Sequence, residues 1–357
     1  MKKWEEDLRR RYRMNIGIIG HFGGKEKYND GQTVKTINIY KGLLNSGIST
    51  VDRIDTYYIK KNPIKFFVAF FKSLFKDEKY IVLLSINGRR ILFPILFLLS
   101  KFGKEIYHYS IGGRLAREVE AHPSWKRYVS AFKGNWMESH ELTEKLQALG
   151  VHNALYVPNF KRLDILREKE FVDAYFAPYR FCIFSRVMEE KGVTDAINAI
   201  KIINNKYGKQ IATLDIYGPI EPEYKNELLS LIDSTNDSCK YCGVIDSNKS
   251  VEALKCYFVL LFPTHWKHEG IPGTIIDAFS AGVPVIARQW QYCKEMITMG
   301  KNGYYYEFEK PELLIDMMEY AIVHPEKIIA MKNNCLEKAV EYSEEYVMKQ
   351  IKSEMRI

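Results

Sequence analysis

No run in the 357-residue chain is long and apolar enough to cross a bilayer. The most apolar stretch, ILFPILFLL from Ile91 to Leu99, is about half the length a spanning helix needs, so no transmembrane anchor is expected. The opening MKKWEEDLRRRYRM mixes charges of both signs and has no apolar core, which argues against a secretory signal. Cysteines are few: Cys182, Cys239, Cys242, Cys256, Cys293 and Cys335 all lie in the second half, without the density or spacing of a disulfide framework. Cys239 and Cys242 form a lone C-x-x-C with no second pair and no nearby histidine, so neither zinc nor redox use is expected, and a reducing cytoplasm is. A D-x-D signature in a suitable loop is missing, and so are the RNP-like, zinc-finger and helix-turn-helix signatures of nucleic-acid binders.

What is present is an ordinary soluble composition, 46% apolar and 27% charged, in a chain longer than one hydrophobic core usually organises. Two domains of about 150 to 180 residues are expected. The net charge of +8 is unevenly placed, since residues 1–165 hold 29 Lys and Arg against 16 Asp and Glu, and the remainder 23 against 28. That asymmetry suggests an anionic partner for the first half, either a phosphate-bearing lipid surface or nucleic acid; a basic face that is merely solvated is the alternative.

The chain alternates strand and helix patterns. MNIGIIGHFGG from Met14 is an apolar strand running into glycines, and NDGQTVKTINIYKGLLNSG after it has helical spacing with a stop at Gly47. YIVLLSI, EIYHYSI, GNWMES and NALYVPN continue the series to Asn159. After a charged linker near Leu163 to Tyr179 a second series begins: RFCIFSR, ATLDIYG, KYCGVI, YFVLLFP and VPVIA. The expected organisation is an N-terminal Rossmann-like domain over 1–165, a second over 166–340, and a capped helix over 341–357 that either ends the second domain or packs back on the first. Ligands of such sheets bind beyond the carboxyl ends of the strands, so the active site is expected in a cleft between two facing doubly wound domains.

Two motifs carry chemistry. FSRVMEEKGV places Arg186 and Lys191 at a strand's carboxyl end, in a loop leading into a helix whose free N–H groups already favour anions, a suitable clamp for a diphosphate. HEGIPGTIIDAFSAGVPVIA places Gly270 and Gly273 where backbone can approach a ligand, a rigid turn at Pro272, and a helix start near Thr274. Glu269 precedes that helix and cannot cap it from inside the first turn. A carboxylate beside phosphate is repelled by it, so Glu269 is expected to accept from neutral sugar hydroxyls. Asp277 either faces a ligand or closes a capping box with Thr274.

Taken together these residues resemble the retaining glycosyltransferases of the GT-B fold, in the large E-x7-E family (glycosyl transferases group 1) that includes bacterial polysaccharide and mannosyl transferases. Glu269 and Asp277 match the two acidic positions, FSRVMEEKG the Arg and Lys motif, and IYGPIEPEY, with Gly218, the G-x-G strand end. YCGVI, MGKNGYYYE and YVPNF also match in order. The resemblance implies that Arg186 and Lys191 neutralise the leaving nucleoside diphosphate and that Glu269 holds the donor sugar. It also implies that Ile271, Gly273 and Thr274 line sugar and phosphate with their backbone, and that Gly23 and Gly24 approach the diphosphate or acceptor. Asp277 takes the place of a ribose-binding glutamate but is one methylene shorter. In many relatives a histidine after the strand matched by EIYHYSIGGR contacts the sugar; Ile111 stands at that place, and His108, three residues earlier, is the remaining candidate.

The implied reaction moves a sugar from a UDP- or GDP-sugar donor to a glycan or polyprenyl-diphosphate-linked acceptor in capsule or O-antigen assembly. It proceeds with retention and needs no metal or other cofactor. The segment from Tyr57 to Tyr80 interleaves Lys with Phe and reads either as one interfacial amphipathic helix, giving peripheral contact with the inner face of the cell membrane, or as a buried helix with a lysine-rich outer face. A non-catalytic nucleotide-sugar-binding subunit and a nucleic-acid binder using the basic half are the rival functions.

Overall fold

Short apolar runs buried on both faces define the strands. IGIIG, from Ile16 to Gly20, is buried at every position between two parallel neighbours, the environment that selects near-continuous hydrophobic runs over alternating ones. The computed structural model describes residues 15–26, 31–48, 50–162, 164–167, 170, 174–246, 248–267 and 269–357. The opening MKKWEEDLRRRYRM, part of the Leu163–Tyr179 linker and His268 lie outside them.

The first unit comprises Met1–Lys161 with Glu344–Ile357. Its elements are β1 (Ile16–Gly20), α1 (Gly31–Asn45), β2 (Val51–Asp55), α2 (Tyr58–Lys61), α3 (Pro63–Leu74), β3 (Lys79–Val82), α4 (Ile86–Lys101) and β4 (Glu105–Tyr109). After these come α5 (Leu115–Ala121), α6 (Pro123–Ala131), β5 (Gly134–Met137), α7 (His140–Ala148) and β6 (Ala154–Tyr156). The six strands form a parallel sheet in the order β2-β1-β3-β4-β5-β6. Strand order reverses between β1 and β3, which makes their carboxyl ends the switch point at which open α/β sheets take ligands.

The second unit, Arg162–Ser343, repeats the plan. It runs β7 (Tyr179–Phe184), α8 (Val193–Tyr207), β8 (Ala212–Tyr217), α9 (Lys225–Asp233), β9 (Cys239–Tyr241), α10 (Ser250–Leu254), β10 (Val259–Phe262) and α11 (Gly273–Ser280). There follow β11 (Val285–Arg288), α12 (Cys293–Met296), β12 (Gly303–Tyr306), α13 (Leu313–Val323), α14 (Pro325–Ala330) and α15 (Lys332–Val340). The parallel sheet has the order β12-β11-β10-β7-β8-β9, with its switch point between β7 and β10. Cys239 is buried at the start of β9 and Cys242 is exposed just beyond it; both are free thiols.

The terminal helix α16 (Glu344–Met355), for which the sequence left two places, belongs to the first unit. Val347, Met348, Ile351 and Met355 enter the core built around Ile39 and Leu43 of α1, while Lys79 Nζ donates to the Met355 carbonyl at 2.8 Å.

One local expectation changes, and two strands join the series read from the sequence. The Tyr57–Tyr80 segment is two helices and the start of β3 instead of one helix: Asn62 Oδ1 accepts from Lys65 N at 3.1 Å and Pro63 occupies the first turn of α3, so the Asn-Pro pair ends one helix and starts the next. Strand β2, VDRID, absent from that series, is an edge strand, half-buried at most of its positions, and carries three charges. The second sheet ends on β12, GYYY, where aromatic residues stand in for the aliphatic signature.

Candidate functional site

Beyond β7 the chain is held by backbone bonds to the end of β8. Ser185 N donates to the Tyr217 carbonyl at 3.1 Å, Val187 N to Pro219 at 2.9 Å, and Glu221 N returns to Val187 at 3.0 Å. Gly218 lies where these strand ends touch: with φ at 132°, a Cβ there would sit 1.7 Å from the Ser185 carbonyl oxygen. Its conservation of space is therefore internal to the fold.

A short 3-10 turn, Glu189–Lys191, follows, closed by Gly192 in the left-handed region at φ 71°. A Cβ at Gly192 would stand 2.0 Å from the Pro263 carbonyl, so glycine is what lets the β7 loop press against the loop after β10. His265 N donates to the Glu190 carbonyl at 2.8 Å, and its Nε2 lies 2.7 Å from Asp195 Oδ2. These ties deliver two side chains to one place. Lys191 Nζ donates to Glu269 Oε2, and their side chains are only 10% and 22% exposed. The ammonium also lies 5.7 Å from the centre of the Trp266 ring. Arg186, on the same loop, is exposed.

The glycine turn is fixed from behind. Trp290 Nε1 donates to the Gly270 carbonyl at 3.0 Å, and Glu269 N bonds the Trp266 carbonyl at 3.2 Å. A Cβ added at Gly270 or Gly273 would meet nothing within 4 Å, so neither glycine is required by its protein neighbours. Ile271 and Thr274 are half-buried, and the Thr274 hydroxyl oxygen is shielded from solvent with no hydrogen-bond partner. Helix α11 starts at Gly273 with Pro272 as its cap residue. Thr274 is thus the second helical residue and Asp277 the fifth, so the capping box expected between them does not form: the cap position falls two residues too early. Asp277 is buried at 4% exposure.

At the switch point of the first sheet lies a cavity of about 300 Å³ whose walls include His21, Thr56, Tyr57, Leu84 and Ser85, all from the ends of β1, β2 and β3. Gly23 and Gly24 adopt positive φ beside it. Gly24 N donates to Asp55 Oδ2 and Phe22 N to Asp55 Oδ1, each at 2.9 Å, and a Cβ on Gly24 would strike the Tyr57 ring. The glycine turn is shaped by Asp55 and Tyr57.

His108, the remaining candidate for sugar contact, is a core residue. It is fully buried in β4, edge-on to Phe93 with ring centroids 5.1 Å apart. Burial holds its pKa well below the usual imidazole value and the Arg89 charge adds to this, so it is neutral and offers no atom to a ligand in solvent. Sequence reasoning missed His265, Trp266, Asp195 and Trp290, although THWKH directly before Glu269 places histidines, an indole and a cation after a strand. Among the described residues no group of three or more His, Cys, Asp or Glu side chains is arranged to hold a metal ion.

Residues 178–323, which span both signature loops, match the family model described as Glycosyl transferases group 1. That segment of the second unit is similar to a glycosyl transferases group 1 domain. Similar proteins include the amylovoran biosynthesis glycosyltransferase AmsK of Erwinia amylovora, 24% identical over an alignment of 258 residues that covers 61% of this chain and 62% of AmsK. An uncharacterized glycosyltransferase of Methanocaldococcus jannaschii is 26% identical over 196 residues, 49% of this chain and 47% of that protein. The matches thus span less than two thirds of the curated relatives' length. Among solved structures, HepE of Anabaena in complex with UDP aligns over 96% of this chain and 100% of its own at 13% identity, with a TM-score of 0.69. The lipopolysaccharide outer core galactosyltransferase WaaB aligns over 96% and 99% at 15% identity, with a TM-score of 0.65. The two-sheet α/β architecture of this chain is the GT-B fold.

Proposed function

We propose that the protein transfers a sugar from a nucleotide-sugar donor to a glycan or polyprenyl-diphosphate-linked acceptor in cell-surface polysaccharide synthesis, with retention at the anomeric carbon and without a metal ion. The observation that carries this reading is the Lys191–Glu269 pair, poised at the switch point of the second sheet beside a glycine turn and the start of α11. The UDP bound to HepE, a protein of the same fold, supports a nucleotide donor.

In this reading the diphosphate lies against the N-terminus of α11, with the N–H groups of Gly273 and Thr274 and the Thr274 hydroxyl as donors. Lys191 and Arg186 take up the negative charge that grows on the leaving diphosphate as the glycosidic bond breaks, which makes catalysis mainly electrostatic. Glu269, oriented by Lys191, accepts hydroxyl donors of the sugar through the oxygen that its ion pair does not use. No carboxylate is assigned as a covalent nucleophile; the acceptor attacks from the face the diphosphate leaves, and a phosphate oxygen receives its proton. Asp277 approaches the ribose, and the acceptor uses the cavity of the first unit.

The test is product analysis with a nucleotide sugar and lipid-linked or oligosaccharide acceptors. Transfer that keeps the donor's anomeric configuration and is lost in Glu269→Ala supports the reading. Donor binding without any turnover would make the chain a non-catalytic subunit instead.

A further inference from the structure

The amphipathic segment after β2 has an unusual distribution of apolar side chains. In α3 the inward row is Phe66, Phe70 and Ser73, all buried. A second apolar row, Ile64, Phe67, Val68, Phe71 and Phe75, runs down the opposite side, spaced three, one, three and four residues apart, which at about 100° per residue confines it to a single stripe. All five are exposed, Ile64 by 78%, Phe71 by 56% and Phe75 by 90%. Helix α4 repeats the arrangement with Ile91, Leu98 and Phe102, the last 82% exposed.

The segments leading into and out of the two helices come together at both ends. Ile59 to Lys61 of α2 and Asn87, Gly88 and Ile91 of α4 line the same cavity, and Lys104 Nζ donates to the carbonyls of Leu74 and Asp77, each at 2.7 Å. Their stripes therefore belong to one side of the first unit. Scattered exposed apolar residues need no explanation, but two adjacent rows of them do.

Charge in these two segments has one sign. Residues 57–76 contain Lys60, Lys61, Lys65, Lys72 and Lys76 and no Asp or Glu; residues 86–104 contain Arg89, Arg90, Lys101 and Lys104 and again no acid. Of these only Arg89 is buried, and Lys104 is partly so. Lys65, Lys72 and Lys76 recur on one flank of the α3 stripe, so a row of cations borders a row of aromatics. Exposed Phe beside exposed Lys suits the boundary between lipid headgroups and acyl chains, where the ring enters the apolar layer and the ammonium stays at the phosphates. No helix among the described residues is long and apolar enough to cross a membrane, so the contact is peripheral.

We infer that the outer side of α3 and α4 is a docking surface for an anionic lipid bilayer. The inference stands on this surface alone and does not depend on the sugar-transfer reading. Charge complementarity selects the occupant, because a second copy of the chain would bring the eight cations other than buried Arg89 against eight of the same sign.

The experiment is co-sedimentation of the full chain with vesicles of phosphatidylcholine alone or mixed with phosphatidylglycerol, at low and high salt. Native protein is expected to bind the mixed vesicles at least ~10-fold better than the neutral ones and to lose most of that preference in high salt. The triple variant Phe71→Ser, Phe75→Ser, Phe102→Ser should weaken binding by ~10-fold or more, and Lys72→Glu with Lys76→Glu should abolish the preference for the anionic lipid. These five side chains are exposed, so unfolding temperatures should match the native protein's and serve as the control. Native protein that stays in the supernatant at low salt, or variants that bind as the native chain does, would overturn the inference. A native dimer in light scattering that the Phe variant converts to monomer would overturn it as well, by making the surface a protein interface.

Discussion

Lys191 and Glu269, 78 residues apart in sequence, form an ion pair that joins the turn after β7 to the loop after β10. In the proposed reading, this pairing lets a carboxylate sit beside the place of an anionic diphosphate. The ammonium neutralises and orients it while remaining on the side where a diphosphate would lie.

Removing either partner should therefore have two separable effects. Glu269→Ala leaves a mostly buried ammonium without its carboxylate and is expected to cost about 1–3 kcal/mol in urea unfolding. Lys191→Ala is expected to lower donor turnover by ~100-fold or more, since it removes charge stabilisation on the leaving group. Steady-state release of nucleoside diphosphate by each variant, compared with its unfolding curve, distinguishes the two.

The glycines divide into two classes with opposite expected phenotypes. Gly192→Ala and Gly218→Ala force a Cβ to within 2.0 Å and 1.7 Å of backbone oxygen at positive φ, and each should destabilise by more than about 2 kcal/mol. Gly270→Ala has open space around it and should alter stability by no more than ~0.5 kcal/mol, yet weaken nucleotide-sugar binding. Thermal unfolding with and without donor measures both.

Asp77 supplies a pH signature away from the site. It is fully buried with neither carboxylate oxygen hydrogen-bonded, and burial first, then the charge of Asp52, pushes its pKa up to about 7 from the usual 3.8. Because the folded chain holds this proton more tightly than the unfolded chain, stability contributed here is lost as pH rises from about 4 to about 7. Asp77→Asn is expected to be more stable than the native protein at about pH 8, by at least ~1 kcal/mol, and to match it near pH 4. Unfolding midpoints across that interval check the sign.

Most of the fold was legible because buried parallel strands leave apolar runs such as IGIIG and VLLF, and glycine turns mark their carboxyl ends. What escaped was set by context. VDRID pairs only along one edge, so it keeps charges that a central strand would exclude, and Pro63 divides what periodicity alone reads as a single helix. The candidate residues could be named from the sequence, but their arrangement could not. Sequence spacing put Lys191 and Glu269 in separate motifs, and only the close approach at Gly192 brings the two loops together. Asp277 shows the converse: a local capping pattern was present in the sequence, but α11 begins at Gly273, and the pattern is not used.

The most direct measurement is calorimetric titration of a panel of UDP- and GDP-sugars into the native chain and into Lys191→Ala. Saturable binding of at least one nucleotide sugar, weakened at least ~10-fold in the variant, is the expected result. A panel in which no donor binds the native chain, or in which Lys191→Ala binds as tightly as native, would contradict a nucleotide-sugar site built on Lys191 and Glu269.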